Sequence, residues 1–128
     1  MFATPALAQG PNFYELALIS RKPEVAKLYA QSQLHRFGWD NKAQWSSLLI
    51  LWTRESNWRP NAKNHQPVII FSNGKKIKLY AGGIPQKLGL SPKFSIPRQI
   101  DIGLNYIKVR YGSPAKALYF WNHGHYWY

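Results

Sequence analysis

Cysteine is absent from the 128 residues, acidic residues are few, and no apolar run is long. Without cysteine there is no disulfide scaffold, no thiolate-held zinc or iron–sulfur centre and no Cys–His nucleophile. Apolar runs such as Leu48-Leu49-Ile50-Leu51-Trp52 fall far short of the roughly 20 residues of a spanning helix, so no transmembrane segment is expected. Only 5 Asp+Glu stand against 17 Lys+Arg, a formal net charge of +12. Any carboxylate chemistry must therefore come from Glu15, Glu24, Asp40, Glu55 or Asp101. Internal repeats, low-complexity tracts and interdomain linkers are missing, as are a P-loop, a dinucleotide fingerprint, a nucleophile elbow and an HExxH helix.

What is present is apolar and aromatic: 45% hydrophobic residues, with 6 Trp, 8 Tyr and 6 Phe. A chain of this length and composition buries one core and is too hydrophobic for a basic disordered tail. The charge concentrates polyanions at the surface. Lys and Arg are scattered, with small clusters at Arg21-Lys22 and Lys75-Lys76-x-Lys78, and form no helical stripe, so no nucleic-acid partner is expected. His123-x-His125 and His65 lack a third ligand at a recognisable spacing; no metal and no cofactor are assigned. Ala6-Leu7-Ala8 has the small-x-small form of a signal-peptidase site, but the charged and apolar regions that precede such sites are not there. Residues 1–14 read as a flexible N-terminal segment, either the remnant of an export signal or an Ala/Pro-rich start. Residues 15–128 read as a single domain.

Residues 15–37 read as one or two amphipathic helices, with Pro23 in a first turn and Gly38 as a stop. Asn41 with Gln44 three residues on has the form of a capping box, and Trp45, Leu48, Leu49 and Trp52 then share one helix face as far as Glu55 or Ser56. Val68–Phe71 and Lys76–Tyr80 flank Asn73-Gly74, predicting a type I′ hairpin with one wet face. Ser95 and Pro97 open a helix with the stripe Ile100, Leu104, Ile107, Tyr111, ended by Gly112. Ser113-Pro114 opens a last helix to about Asn122, with Gly124 as its stop. The fold class is α+β, mainly α.

Glu55 stands apart among the acids because Trp52 and Leu51 precede it by three and four residues, placing it on the apolar side of its helix. Desolvation and the negative end of the helix dipole both disfavour the carboxylate, and a carboxyl protonated near neutral pH suits a general acid. The alternative is a structural carboxylate paired with Arg59 or another base, Arg54 being directed elsewhere by adjacency. Asp101 sits in a first helical turn, where the dipole favours an ionised structural carboxylate over the second acid of a glycosidase pair.

The stretch Leu51-Trp52-Thr53-Arg54-Glu55-Ser56-Asn57-Trp58-Arg59-Pro60-Asn61-Ala62 resembles the Glu-Ser motif of soluble lytic transglycosylases, in the lysozyme-like superfamily. Three further blocks follow in that family's order: Ala81-Gly82-Gly83-Ile84-Pro85-Gln86, then Gln99 to Ile107, then Phe120-Trp121-Asn122-His123-Gly124. The resemblance implies a lysozyme-like domain with a small β-hairpin and the cleavage of peptidoglycan to 1,6-anhydro products, Glu55 being the single catalytic acid. It implies that Ser56 positions that acid and that Gln86, with Gly83 and Asn122, lines the cleft. Trp58, Tyr80 and Trp121 are candidate walls for sugar rings, with core packing as the alternative role. Trp121 stands where the family has Tyr, so a hydroxyl near Glu55 would come from Tyr106, Tyr126 or Tyr128. Pro85 replaces a common Met, and the hairpin is longer than the family's tight turn. Expected partners are peptidoglycan glycan strands and anionic cell-wall polymers, met by a monomer that is secreted, wall-associated or part of a phage particle. A hydrolytic muramidase of lysozyme type and a non-catalytic glycan-binding module are the alternatives.

Overall fold

Helix starts marked in the sequence by prolines and short polar caps are helix starts in the computed structural model, which describes residues 13–125. A first helix, α1 (Phe13–Ile19), precedes α2 (Pro23–Gln33), whose proline supplies a preset φ where no intrahelical N–H bond is available. Because α1 begins at Phe13 and Phe13 packs on the core, Phe13 and Tyr14 belong to the folded body rather than to the N-terminal segment. Ala6-Leu7-Ala8 lies outside the described residues. A 3₁₀ turn, Leu34–Phe37, ends at Gly38 with φ 73°.

Asn41 caps α3 (Lys42–Ser56), its Oδ1 accepting the Gln44 N–H at 3.0 Å. The return arm of the expected capping box is missing. Gln44 Oε1 accepts instead from the Ala115 N–H at 3.0 Å, in the first turn of α5 (Pro114–Phe120). That turn has N–H groups with no intrahelical acceptor, and the Gln44 carboxamide satisfies one across the helix pair. Ser95 caps α4 (Ile96–Arg110). The last helix stops at Phe120, two residues short of expectation, in a wide turn Trp121–His125 where His123 (φ −104°, ψ 43°) and Gly124 (φ 94°) leave helical geometry.

Leu48, Leu51 and Trp52 of α3 meet Ile96, Ile100, Leu104 and Ile107 of α4 in a core that Ala26, Tyr29 and Ala30 of α2 close from the other side. Gly103 lets α3 and α4 approach: a Cβ there would lie 2.7 Å from Trp52 and 2.9 Å from Pro85. The hairpin β1 (Val68–Ser72) and β2 (Lys75–Leu79) pairs antiparallel from Val68↔Leu79 to Ser72↔Lys75, with Asn73 (φ 50°) and Gly74 (φ 76°) in the turn. A single wet face was the expectation; instead β1 is exposed along its whole length and β2 almost so, because no other described element packs extensively on the hairpin. A short pair, β3 (Ala81–Gly82) and β4 (Lys87–Leu88), closes the loop that carries Ile84 and Gln86. The fold is thus α+β and mainly α, and no described helix is long and apolar enough to cross a membrane.

The loop is anchored by one buried side chain. Gln99 of α4 is fully buried; its Oε1 accepts the Ile84 N–H at 2.9 Å, and its Nε2 is shared among the carbonyls of Pro60 (3.0 Å), Phe94 (3.0 Å) and Pro92 (3.2 Å). Gly83, at φ 73°, leaves room for it, since a Cβ there would meet Gln99 Oε1 at 2.5 Å. Arg21, between α1 and α2, grips the same segment through Phe94 O (2.7 Å), Pro92 O and Asn61 Oδ1 (2.6 Å). Gln99→Met keeps the volume but strands Ile84 N–H and the carbonyls in the interior. Urea denaturation should show a loss of about 2–4 kcal/mol.

Candidate functional site

The last turn of α3 carries Glu55 on the same face as the buried Leu51 and Trp52. The helix cannot continue: Asn57 (φ 55°) and Trp58 (φ 61°) both take left-handed backbone, turning the chain back beneath α3. For a bulky indole this conformation is costly, about 1–3 kcal/mol. It is held by complete burial of Trp58 against Trp52 (ring centroids 5.2 Å, edge-on) and Trp45 (5.9 Å), with its Nε1–H directed at Leu49 O (3.3 Å). Trp58 is therefore core, not a wall for a sugar ring; the indole that resembled a subsite residue is the wedge that ends the helix behind Glu55.

Ser56 is buried, and its hydroxyl donates to Ile84 O at 2.6 Å, tying the end of α3 to the β3–β4 loop. Gln86 in that loop is another non-glycine residue at positive φ (50°), and its Nε2 donates to Gly83 O (2.9 Å) and Ala62 O (3.2 Å). Its carboxamide thus braces the loop from within. Gly83 is buried under Gln99 and Leu90, so its place is in the packing of the loop rather than on a ligand-facing surface. Of the four non-glycine residues at positive φ among the described residues, three border this corner: Asn57, Trp58 and Gln86. Clustered backbone strain of this kind is held where surrounding structure over-determines it, a common property of functional sites.

The Glu55 carboxyl is partly buried, and no ion pair to it exists among the described residues. Burial pushes its pKa from the ordinary 4.5 up to about 8. The bases that could have neutralised it are engaged elsewhere. Arg54 donates to Asn122 Oδ1 at 2.8 Å and lies 6.0 Å from the Trp121 ring centre, and Arg59 Nε donates to Ser56 O at 3.0 Å, at the negative end of the helix. Tyr106 of α4, one turn beyond Gly103, is the described tyrosine that senses the Glu55 charge. Its phenol is held above the usual range by burial first, then by Tyr111, with a smaller contribution from Glu55. Of the three expected sources of a hydroxyl, Tyr106 is therefore within electrostatic reach of Glu55, while Tyr126 and Tyr128 lie outside the described residues.

Three partly exposed aromatic rings around this corner each have a base over one face: Tyr80 has Lys63 at 4.7 Å, Tyr106 has Lys87 at 5.6 Å, and Trp121 has Arg54 at 6.0 Å. A planar or sugar-like group would have to meet the opposite face of such a ring. Asn122 is exposed and joins the site through Arg54 rather than through Glu55.

Asp101 is not part of this site. Its carboxylate pairs with Arg36 at 3.2 Å and accepts from the Tyr29 hydroxyl at 3.2 Å, on a face of α4 about 200° around the helix from Gly103. Burial and then the Asp101 charge raise the Tyr29 phenol well above its ordinary range, so it stays a donor. His123 donates locally from Nδ1 to Tyr119 O at 2.6 Å and stacks on the Tyr119 ring; the His125 side chain lies outside the described residues. An open groove of about 340 Å³, lined by Gln31, Leu34, Asp40, Asn41, Lys42 and Trp45, lies at the start of α3, some 15 Å along the helix axis from Glu55. None of the expected site residues lines it.

Gln99 was missed as a determinant of the site. Its position among Ile96, Ile100, Gly103 and Leu104 is the signal that could have found it, because a carboxamide on an apolar stripe must be buried with partners. Arg21 was counted with the surface charge and is a structural clamp. Comparison of the chain with protein families, with curated proteins and with solved structures finds no match.

The raised Glu55 pKa has a consequence for stability. Below pH 4.5 the carboxyl is protonated in both folded and unfolded chains. Between pH 4.5 and 8 the unfolded chain gives up the proton and the folded chain keeps it, so stability falls with rising pH and levels off above 8. Glu55→Gln removes this penalty. Thermal melts should show no gain at pH 4 and a rise on the order of 10 °C at pH 9.

Proposed function

We propose that the protein is a peptidoglycan-cleaving lytic transglycosylase in which Glu55 is the single general acid and base. The observation that carries this reading is the partly buried Glu55 carboxyl, which has no ion pair among the described residues and whose burial favours the protonated form near neutral pH, with Asp101 held elsewhere. The Glu-Ser motif and the three ordered blocks support it from the sequence, as does a site corner flanked by bases that attract an anionic polymer.

In this mechanism Glu55 gives its proton to the oxygen linking C1 of N-acetylmuramic acid to C4 of N-acetylglucosamine. The C1–O bond breaks and the N-acetylglucosamine end leaves as an alcohol. The muramic C6 hydroxyl then attacks C1 and passes its proton to the Glu55 carboxylate, which closes the 1,6-anhydro ring and restores the acid. The nucleophile belongs to the substrate, so one carboxyl suffices. A hydrolase of lysozyme type would need a second group to activate water or stabilise the cation, and retaining or inverting pairs stand about 5–9.5 Å apart. Asp101, held by Arg36 and Tyr29, is a poor candidate for that role. Ser56 and Gln99 act as positioning residues, through the end of α3 and through the loop. Tyr106, neutral and within electrostatic reach of Glu55, is the described tyrosine that could support the acid.

Mass spectrometry of digested peptidoglycan should show fragments ending in anhydromuramic acid; reducing ends would assign hydrolysis instead. Glu55→Gln should lower the rate by about 10²–10⁴-fold with the fold intact, and an unchanged rate would remove Glu55 from the mechanism. The acid must be protonated to begin the reaction, so kcat/KM should be level between about pH 5 and 7 and fall as pH rises through about 8. A second carboxylate in the mechanism would add an acidic limb.

A further inference from the structure

No helix packs extensively on the β1–β2 hairpin among the described residues, yet it is rich in large apolar side chains. Cross-strand pairing sorts them onto two faces. On one, Val68 and Ile70 oppose Leu79 and Ile77, an aliphatic patch. On the other, Ile69 and Phe71 oppose Lys78 and Lys76. Neither face is covered: Phe71 is 75% exposed, Val68 49% and Ile69 44%. Lys75, Lys76 and Lys78 all lie on β2 and are exposed, and no Asp or Glu occurs anywhere between Glu55 and Asp101.

We propose that this hairpin is a docking finger for an anionic lipid surface, inserting its apolar residues at the headgroup boundary while its three lysines meet lipid phosphates. Charge complementarity alone would fit any polyanion, including a wall polymer. The apolar residues decide between them. Val68, Ile69, Ile70 and Ile77 have no flat face for a sugar ring to stack on, and exposed aliphatic area gains free energy only by leaving water for an apolar medium. Lysine stems lie along such a patch while their ammonium groups stay in the headgroup layer. Apolar insertion combined with clustered bases is the two-signal arrangement that gives stable peripheral attachment, each base adding to attraction by anionic headgroups. A finger clear of the helical body can enter the interface without unfolding anything beneath it.

The test uses the full chain and vesicles of phosphatidylcholine with and without phosphatidylglycerol. Because the chain has no cysteine, Phe71→Cys accepts a single environment-sensitive fluorophore. The label should brighten and shift to the blue on phosphatidylglycerol vesicles and change little on phosphatidylcholine alone. Ile69→Ser with Phe71→Ser, which leaves the charge untouched, should weaken vesicle partitioning about tenfold, with circular dichroism and melting temperature reporting that the body remains folded. Three results would each overturn the proposal: undiminished binding by the Ser variant, which would make attraction a property of the whole +12 surface; a label that stays in water; or a concentration-dependent dimer that the Ser variant abolishes, which would make the occupant a second copy of the chain.

Discussion

The Gln99 carboxamide sets where the loop opposite Glu55 can lie. It is buried in an apolar stripe, where an unmet amide costs more than a met one returns, so its donor and acceptor must all find partners. They find them in one arrangement: Ile84 N–H on the oxygen, and Pro60, Pro92 and Phe94 carbonyls around the nitrogen. Three separate stretches of irregular chain are thereby held to one helix. Ser56 adds the fourth fixed point by bonding the carbonyl of the same Ile84 whose N–H Gln99 accepts. Both backbone polar groups of one loop residue are thus taken, one by each long helix, and the separation of α3 from the loop has little freedom left.

Against that rigid background Glu55 is partly buried with no ion pair among the described residues. A buried acid is ordinarily neutralised by a cation, and this chain has cations in excess, yet Arg54 and Arg59 are drawn off to Asn122 and to the end of the helix. Burial favours the protonated form of this carboxyl, beside a helix end whose backbone is itself strained at Asn57 and Trp58. Natural proteins tend to retain such local costs where chemistry requires them. Asp101 shows the opposite treatment, with a base and a hydroxyl provided for it.

Much of this was legible from residue order because the signals were local. Asn41, Ser95 and Ser113 announce helix starts through bonds made within one turn, Pro23 does so through its fixed φ, and Asn73-Gly74 sets a hairpin through two dihedral angles. Glu55 was legible for the same reason, its exposure being fixed by Leu51 and Trp52 on its own helix. What was not legible depends on partners far along the chain. Gln44 has the spacing of a capping box, but its acceptor is claimed by Ala115. Trp58 reads as a surface aromatic until two successive left-handed residues fold it under α3. The hairpin's alternation predicts a covered face, and whether anything covers it is a property of the whole topology.

Four of the polar contacts between the two halves share nearly the same long span. Arg21 to Phe94, Arg21 to Pro92, Tyr29 to Asp101 and Gln44 to Ala115 join residues 73, 71, 72 and 71 positions apart. Helices α1 to α3 are therefore made well before the groups that complete them, by several seconds at ordinary rates of synthesis of about 5–20 residues per second. Each contact must close a long loop before it returns any stability, which places them late in folding and makes the process slow for a mostly helical chain. The growing N-terminal half is an amphipathic intermediate with half a core, and its period of greatest exposure ends only when α4 and α5 leave the ribosome.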